Sequence, residues 1–244
     1  MMQDRDTDIK QMATGHGSGL RDYARIVVGR PSFWRCLQYE VLCGLCSGRS
    51  GMVGIGLRRL FYPALFGSVG RGLVMGRNVT LRGGPQITLG KNVMIDEGCV
   101  LDARGEASRI VIGDNVVLSR NSIIRARNAT IEIGSGCDIG CNCLLATDSR
   151  LALGEDILIG AYTYLVGGGL HGTAPDEPRV IRQPIAAGKG IAIGDGAWIG
   201  TRVSILDGAD IGNGAVIGAH ALVTHPIPAM AVATGTPATL KRQR

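Results

Sequence analysis

Between Ile193 and Val223 the chain repeats every six residues, reading IGDGAW, IGTRVS, ILDGAD, IGNGAV, IGAHAL and VTHPIP. Ile193, Ile199, Ile205, Ile211, Ile217 and Val223 recur at that interval, and glycine follows four of the six. The same spacing runs upstream in threes: Leu89/Ile95/Leu101, Ile112/Leu118/Ile124, Ile133/Ile139/Leu145 and Leu153/Ile159/Leu165, with Met75 and Leu81 as a partial first set. An amphipathic helix would space apolar residues by three and four, and a half-buried strand would alternate every two. A period of six fits a short strand and a turn, repeated on the faces of a prism. Three sixes then make a coil of 18 residues, and the upstream sets carry extra residues at one corner, as in ARGEAS and ATDS. Sets open with an apolar-x-apolar-Gly strand: ITLG, IVIG, IEIG, LALG, IAIG. Small residues after each inward aliphatic are read as allowing a tight turn. A β-sandwich of short strands is the competing arrangement, but its turns would be irregularly spaced. The pattern therefore predicts an all-β solenoid.

The beat stops once, in LVGGGLHGTAPDEP, Leu165 to Pro178. From Leu165 to Ile193 is 28 residues, where the repeat allows six. A long excursion from a rigid scaffold is either functional or disordered. This loop, 166–190, holds Gly167-Gly168-Gly169, the prolines Pro175, Pro178 and Pro184, and Gly188-Lys189-Gly190. The prolines argue for a stiff excursion. His171 is its one histidine, placed where the wall opens and next to glycines that let a ligand approach closely.

Composition sharpens this picture. Hydrophobic residues are 45% of the 244 and aromatics only 4%, with 38 glycines. The core must be packed from Ile, Val, Leu and Ala, which suit strand interiors. Seven cysteines are an odd number. The N-terminus, MMQDRDTDIK, is charged and lacks an apolar signal region, so a cytoplasmic location with free thiols is expected. The inner face of the membrane is the alternative. In that compartment the glycosylation-like matches at Asn78 and Asn128 carry no meaning. Cys43-x-x-Cys46 has no second pair to complete a zinc site, and it reads as small residues in a helix. Cys137, Cys141 and Cys143 read as small apolar fillers in repeat positions. No metal site is expected. The charge of +6 comes without a Lys/Arg run or aromatic–basic interleaving, so nucleic acid is not an expected partner.

The [Ile/Leu/Val]-Gly-x-x-x-x repeat over Met75–Val223 resembles the hexapeptide-repeat acyltransferases. That resemblance implies a left-handed parallel β-helix, with a short α-helical N-terminal segment and one long extruded loop. Within the family, GKGIAIGDGAWIGTRVSILDGADIGNGAVIGAHALV is similar to the galactoside and maltose O-acetyltransferases and their relatives in surface-polysaccharide synthesis. The branch implies acetyl transfer from acetyl-CoA to a hydroxyl of a sugar or polysaccharide precursor, in a homotrimer. It also implies His171 as the catalytic base, although Leu170 stands between the glycines and His171 where the family has His directly after Gly. The chemistry suits the residue. An alcohol attacking a thioester needs a base, and imidazole can take that proton and return it to the leaving thiolate. A cysteine nucleophile would need a depressed thiol pKa and a paired base, and nothing cationic adjoins Cys137 or Cys143.

The resemblance further places acetyl-CoA along Trp198 and the corners Thr201 and Ala219, with Thr224 and Lys241 in the closing segment. There the chain departs from the family at His225-Pro226 and Thr239. Asn142 and Asp148 are the acceptor-side candidates, flanking the corner before the loop. A turn that favours Asn and Asp accounts for either residue as well. The expected organisation is thus 1–70, partly disordered and then short amphipathic helices; 71–224, the β-helix with loop 166–190; and 225–244, a tail near the CoA site.

Residues 1–70 hold nine Lys/Arg and five Asp/Glu. Residues 1–19, with His16, are expected to be disordered. Ser32 is a candidate cap for a helix whose Phe33, Leu37, Val41 and Leu45 fall four apart, beside Trp34 and Leu42. GLRRLFYPALFG adds a second piece, stopped near Pro63. This face either covers the open end of the prism, the favoured reading, or rests on a membrane through residues 31–66, with Phe33, Trp34, Arg58 and Arg59. Two rival functions stand beside acyl transfer. One is a zinc enzyme like carbonic anhydrase on the same fold, using His171, His220 and His225. The other is a non-catalytic repeat scaffold.

Overall fold

A computed structural model describes residues 19–29 and 32–244; the segment 1–18, including His16, lies outside the described residues. The repeat region is a three-faced parallel β-solenoid. Face A has seven strands, from Ser68–Val69 to Asp210–Ile211. Face B has nine, from Val74–Met75 to Thr239–Gln243. Face C has seven, from Thr80–Arg82 to Leu222–Val223. Register follows the sequence period. Trp198 pairs with Val216 and Ser204 with Leu222, eighteen residues on. Lower coils are longer: Asp138 pairs with Leu158 and Thr130 with Arg150, twenty residues on. The surplus sits at the corner between faces C and A.

Every aliphatic of the six-residue repeat points inward and is buried, from Met75 to Val223. The residue two before each is a second inward column, and there the chain uses Ile, Val, Leu and Ala but also Cys99, Ser122, Cys137, Cys143 and Thr163. The two hydroxyls are satisfied by neighbouring coils: Ser122 Oγ donates to the Gly140 carbonyl (2.8 Å) and Thr163 Oγ1 to the Gly200 carbonyl (3.0 Å). Each fully buried aliphatic contributes about 1.5–3 kcal/mol, so the stack of rungs carries the stability without aromatic packing.

The repeat glycines have a different cause from the one the sequence suggested. Gly160 and Gly200 do not adopt positive φ. They permit close stacking instead: a Cβ on Gly200 would lie 2.7 Å from the Ala219 nitrogen. The left-handed corner residues come two positions later, as Asn121, Asn142, Tyr162, Arg202 and His220. Asn78 and Asn128 are also corner residues of positive φ.

The solenoid does not end at residue 224. Ile227 bridges Ile211, Ala231–Thr234 pairs in parallel with Val216–Ile217, and Thr239–Gln243 turns back antiparallel on it. Ile227, Ala231 and Ala233 are buried, so the expected tail continues the apolar column.

At the other end the described residues form three helices: α1 (Gly19–Tyr23, running into a π-helical turn over Ala24–Val28), α2 (Phe33–Cys46) and α3 (Gly51–Phe61). Sequence reading missed α1. Ser32 stands at the N-cap of α2 but makes no side-chain capping bond. α2 and α3 close the first coil. Cys46, Tyr62, Leu65 and Phe66 join its apolar cluster, with Leu42, Cys43 and Leu57 packed against it. Tyr39 Oη donates to the Leu81 carbonyl at 2.9 Å. Arg58, which the membrane alternative placed on the outer surface, is buried. Its guanidinium donates to the carbonyls of Met75 (2.8 Å), Cys46 (2.7 Å) and Arg49 (2.7 Å), carbonyls the helix end and first rung leave open.

Candidate active site

The loop leaves face C after the strand Tyr164–Gly167 and returns at Ile191–Ile193 on face A. It is a built structure. Gly172 N–H donates to the Pro184 carbonyl and Ala186 N–H to the Leu170 carbonyl, both at 2.9 Å, so its two arms run as a short antiparallel ladder. His171 and Ile185 form the bridge of that ladder. Further out, the buried Gln183 side chain accepts from Ala174 N–H (2.8 Å) and donates to the carbonyls of Ala174 (2.8 Å) and Glu177 (2.6 Å). The His171 imidazole is exposed.

Asp207, which sequence reading missed, ties both ends of the loop to the prism. Its Oδ1 accepts from the N–H of Gly168 (2.7 Å) and Gly190 (2.9 Å), and its Oδ2 from that of Lys189 (2.7 Å). Burial works against its ionisation. The N–H groups of Lys189, Gly190 and Gly168, with the Lys189 charge, outweigh burial and hold the carboxyl below its usual value. The signal in the sequence was its position: Asp207 stands at the corner stacked next to the break. One coil below, Asp148 Oδ1 accepts from Gly169 N–H at 3.2 Å.

The opposite edge of face C, the corner with face B, is regular. Its residues stack by backbone bonds: Tyr162 N–H to the Cys141 carbonyl (2.9 Å), Arg202 N–H to Ala161 (3.0 Å), His220 N–H to Thr201 (2.9 Å). The Arg202 guanidinium lies over the Tyr162 ring, 5.6 Å from its centre. Thr201 and Ala219 occupy successive coils of this corner and are exposed. Neither of their N–H groups donates to a partner among the described hydrogen bonds. Trp198 is exposed on face B just before the corner, in register with Leu158 and Val216. Above it in the same column, Val232 pairs with Arg242, and Lys241 falls at the irregularity beside that pair. Trp198, Thr201, Ala219 and Lys241 thus share one side of the molecule.

Other sequence candidates lie apart. Asn142 belongs to the regular corner, where its φ of 57° is one that asparagine tolerates better than most residues. Asp148 is at the loop edge, so the two flank the strand Leu144–Thr147 rather than a corner. Thr224 is also at the loop edge, past the strand Leu222–Val223, with its Oγ1 3.5 Å from His225 Nδ1. His220 sits on the regular edge, away from His171 and His225.

Comparison with known proteins follows this geometry. The family described as bacterial transferase hexapeptide (six repeats) matches residues 190–225. WcaF of Escherichia coli, named as a putative colanic acid biosynthesis acetyltransferase, is 31% identical over 133 residues, 54% of this chain and 69% of WcaF. The chain belongs to the hexapeptide-repeat transferases. A Mycobacterium tuberculosis protein named as a probable acetyltransferase is 28% identical over 66% of this chain. The galactoside O-acetyltransferase of Lactococcus lactis is 29% identical over 54% of it. The chain spans 53% and 62% of the length of those two relatives. Among solved structures, the polysialic acid O-acetyltransferase OatWY superposes with a TM-score of 0.58, covering 72% of this chain and 84% of that one at 18% identity. That likeness bears on the fold.

Burial raises the thiol pKa of Cys137 and Cys143, and pushes that of Cys99 up to about 11. Their sulfurs lie against carbonyls of the next coil: Cys137 Sγ is 3.2 Å from the Gly154 oxygen and Cys143 Sγ 3.3 Å from that of Gly160. A thiol so placed is a core filler and a poor nucleophile.

Proposed function

We propose that this hexapeptide-repeat transferase moves an acetyl group from acetyl-CoA to a hydroxyl of a sugar or polysaccharide precursor, with His171 as general base. One observation carries the reading. The single long break in the repeat is a braced hairpin presenting an exposed imidazole, while the exposed residues Thr201 and Ala219, whose N–H groups have no partner among the described hydrogen bonds, stand across face C beside Trp198. Relatives named as galactoside and colanic acid acetyltransferases support the substrate class. In the reaction, His171 takes the acceptor hydroxyl proton as the oxygen attacks the thioester carbonyl. The C–O bond forms, the C–S bond breaks, and the imidazolium returns the proton to the departing thiolate. Amide groups of the CoA arm would accept from the corner N–H groups, Trp198 would flank the arm, and Lys241 would meet phosphate.

The stretch from Thr201 to Asp207 crosses face C, a span of up to about 20 Å. His171 and the donor corner therefore belong to opposite edges of one chain. We read the working unit as a homotrimer in which the loop of one protomer faces the Thr201/Ala219 corner of the next. Asp207 is then a positioning residue that fixes the base over the neighbour's corner. Asn142 and Asp148 are the acceptor-side candidates. A cytoplasmic site of action, with peripheral membrane contact through residues 31–66, completes the reading. The test is release of free CoA thiol from acetyl-CoA with galactosides, nucleotide sugars and lipid-linked sugars as acceptors. Acceptor-dependent release in one class supports the proposal. Acetyl-CoA binding too weak to measure would favour a scaffold, and stoichiometric zinc with no acetyl transfer would favour the zinc reading.

A further inference from the structure

The helical cap has two apolar faces, and the prism covers only one. On α2, Phe33, Trp34, Leu37, Val41 and Leu45 point away from the first coil, and on α3, Met52, Val53 and Leu60 do the same. Trp34 is 74% exposed, Met52 89%, Val53 73% and Leu60 71%. The two rows meet in an open groove of about 420 Å³ lined by Trp34, Leu37, Val41, Leu42, Leu60 and Phe61. An apolar surface of this extent on a folded chain marks an interaction site.

The charges around it say what kind. Between residues 32 and 67 the acidic residues are Glu40 alone, whose carboxylate accepts from Tyr23 Oη. Arg35 on α2, Arg59 on α3 and Arg49 in the turn between them are exposed, and no salt bridge among the described residues engages them. Two copies of this face would bring like-charged rims together, which disfavours self-association. The residues ahead of Gly19 offer only Met1, Met2, Ile9 and Met12 as large apolar groups to cover it. Apolar side chains with an arginine rim match a bilayer surface carrying anionic headgroups. No described helix is long and apolar enough to cross a membrane.

We propose that the outer face of α2 and α3 docks the enzyme on an anionic lipid surface, with the aromatic and aliphatic side chains entering the headgroup region and Arg35, Arg49 and Arg59 meeting lipid phosphates. This deepens the reading of residues 31–66 given above and is independent of His171. The loop leaves the fifth rung of face C, four rungs and about 19 Å along the prism from the first, so a docked chain holds its active site clear of the lipid.

The test is sedimentation of the full chain with phosphatidylcholine vesicles and with vesicles of phosphatidylcholine and phosphatidylglycerol. The expected result is binding to the anionic vesicles, weakened roughly tenfold or more by Trp34→Ser with Leu60→Ser and roughly fivefold by each of Arg35→Gln, Arg49→Gln and Arg59→Gln. Helical circular dichroism and acetyl-CoA affinity should be unchanged, since these side chains are exposed. Equal binding to both vesicle types, no binding to either, or a higher oligomer that the double variant disperses would each overturn the proposal. Deletion of residues 1–18 should leave binding unchanged; a gain of binding on deletion would assign the face to that segment instead.

Discussion

The two edges of face C are made by the same repeat and behave differently. At the edge shared with face B, every coil turns with the same number of residues, from Asn121 through Asn142, Tyr162 and Arg202 to His220. The left-handed residue of each corner donates its N–H to a corner carbonyl of the coil below, while the N–H one position earlier, as at Thr201 and Ala219, has no partner among the described hydrogen bonds, so an insertion there would break the ladder above and below it. At the edge shared with face A, side-chain oxygens take over that work. Thr147 Oγ1 accepts from Ser149 N–H, Asp148 from Gly169 and Asp207 from Gly168, Lys189 and Gly190. Satisfied locally, these corners vary in length, and one extends into the His171 hairpin. The difference teaches where the fold can place function. The regular edge offers a fixed row of N–H groups, which the proposed function assigns to the acyl donor, and the irregular edge can grow a loop, here one that carries an imidazole.

The largest expected effect comes from removing what the irregular edge carries. His171→Ala should lower turnover by roughly 10²–10⁴-fold while leaving the melting temperature and acetyl-CoA affinity near wild type. Retention of more than about a tenth of wild-type turnover would make His171 a bystander. On the regular edge, Ala219→Leu places a branched side chain across the row of N–H groups, and calorimetry should show acetyl-CoA binding weakened roughly tenfold or more. Unchanged affinity would remove this corner from the donor site.

Asp207→Ala should lower turnover about tenfold, the effect of a misplaced base rather than a missing one. The Michaelis constant for acetyl-CoA should hold, and cleavage by proteases within 172–182 should speed up. Because the folded Asp207 carboxyl lies below its usual value, its grip is complete above the ordinary aspartate range, near ~4, and is lost as pH falls through the depressed value. Loop cleavage should therefore rise in acid in the wild type and lose that dependence in Asp207→Asn. A smaller effect tests the stacking itself. Gly200→Ala, whose new Cβ meets backbone at 2.7 Å, should lower stability by about 1–3 kcal/mol. Ala187→Ser in the loop's exposed return arm should leave the melting temperature within error.

Much of the fold was legible because burial follows the period without exception. The aliphatics picked out at six-residue intervals are the inward column. The break at Leu165 is the extruded loop. What escaped reading lacked that period. α1, five residues from Gly19 to Tyr23, is too short to show a helical repeat. The closing strands past Val223 depart from the six-residue spacing, although Ile227, Ala231 and Ala233 remain core residues. Arg58 looked like a surface cation because a sequence does not reveal that three carbonyls await it. The site was legible unevenly. His171 stood out by interrupting a pattern, whereas Asp207 sits in step with the repeat, and only the returning loop shows what its carboxylate holds. Thr224 was grouped with Thr201 and Ala219 by resemblance, yet the coil carries it to the other edge.

The account turns on the claim that the two edges work together across a boundary between copies. The direct measurement mixes two defective chains. His171→Ala keeps the donor corner and Ala219→Leu keeps the base. Unfolded together and refolded at equal amounts, they should assemble trimers in which about a quarter of the loop–corner junctions pair an intact His171 with an intact Ala219, as random assembly of a symmetric trimer requires. At acetyl-CoA well below the Ala219→Leu dissociation constant, activity should recover to about that fraction of wild type. Mixed trimers that form but stay at the activity of the separate variants would contradict the account.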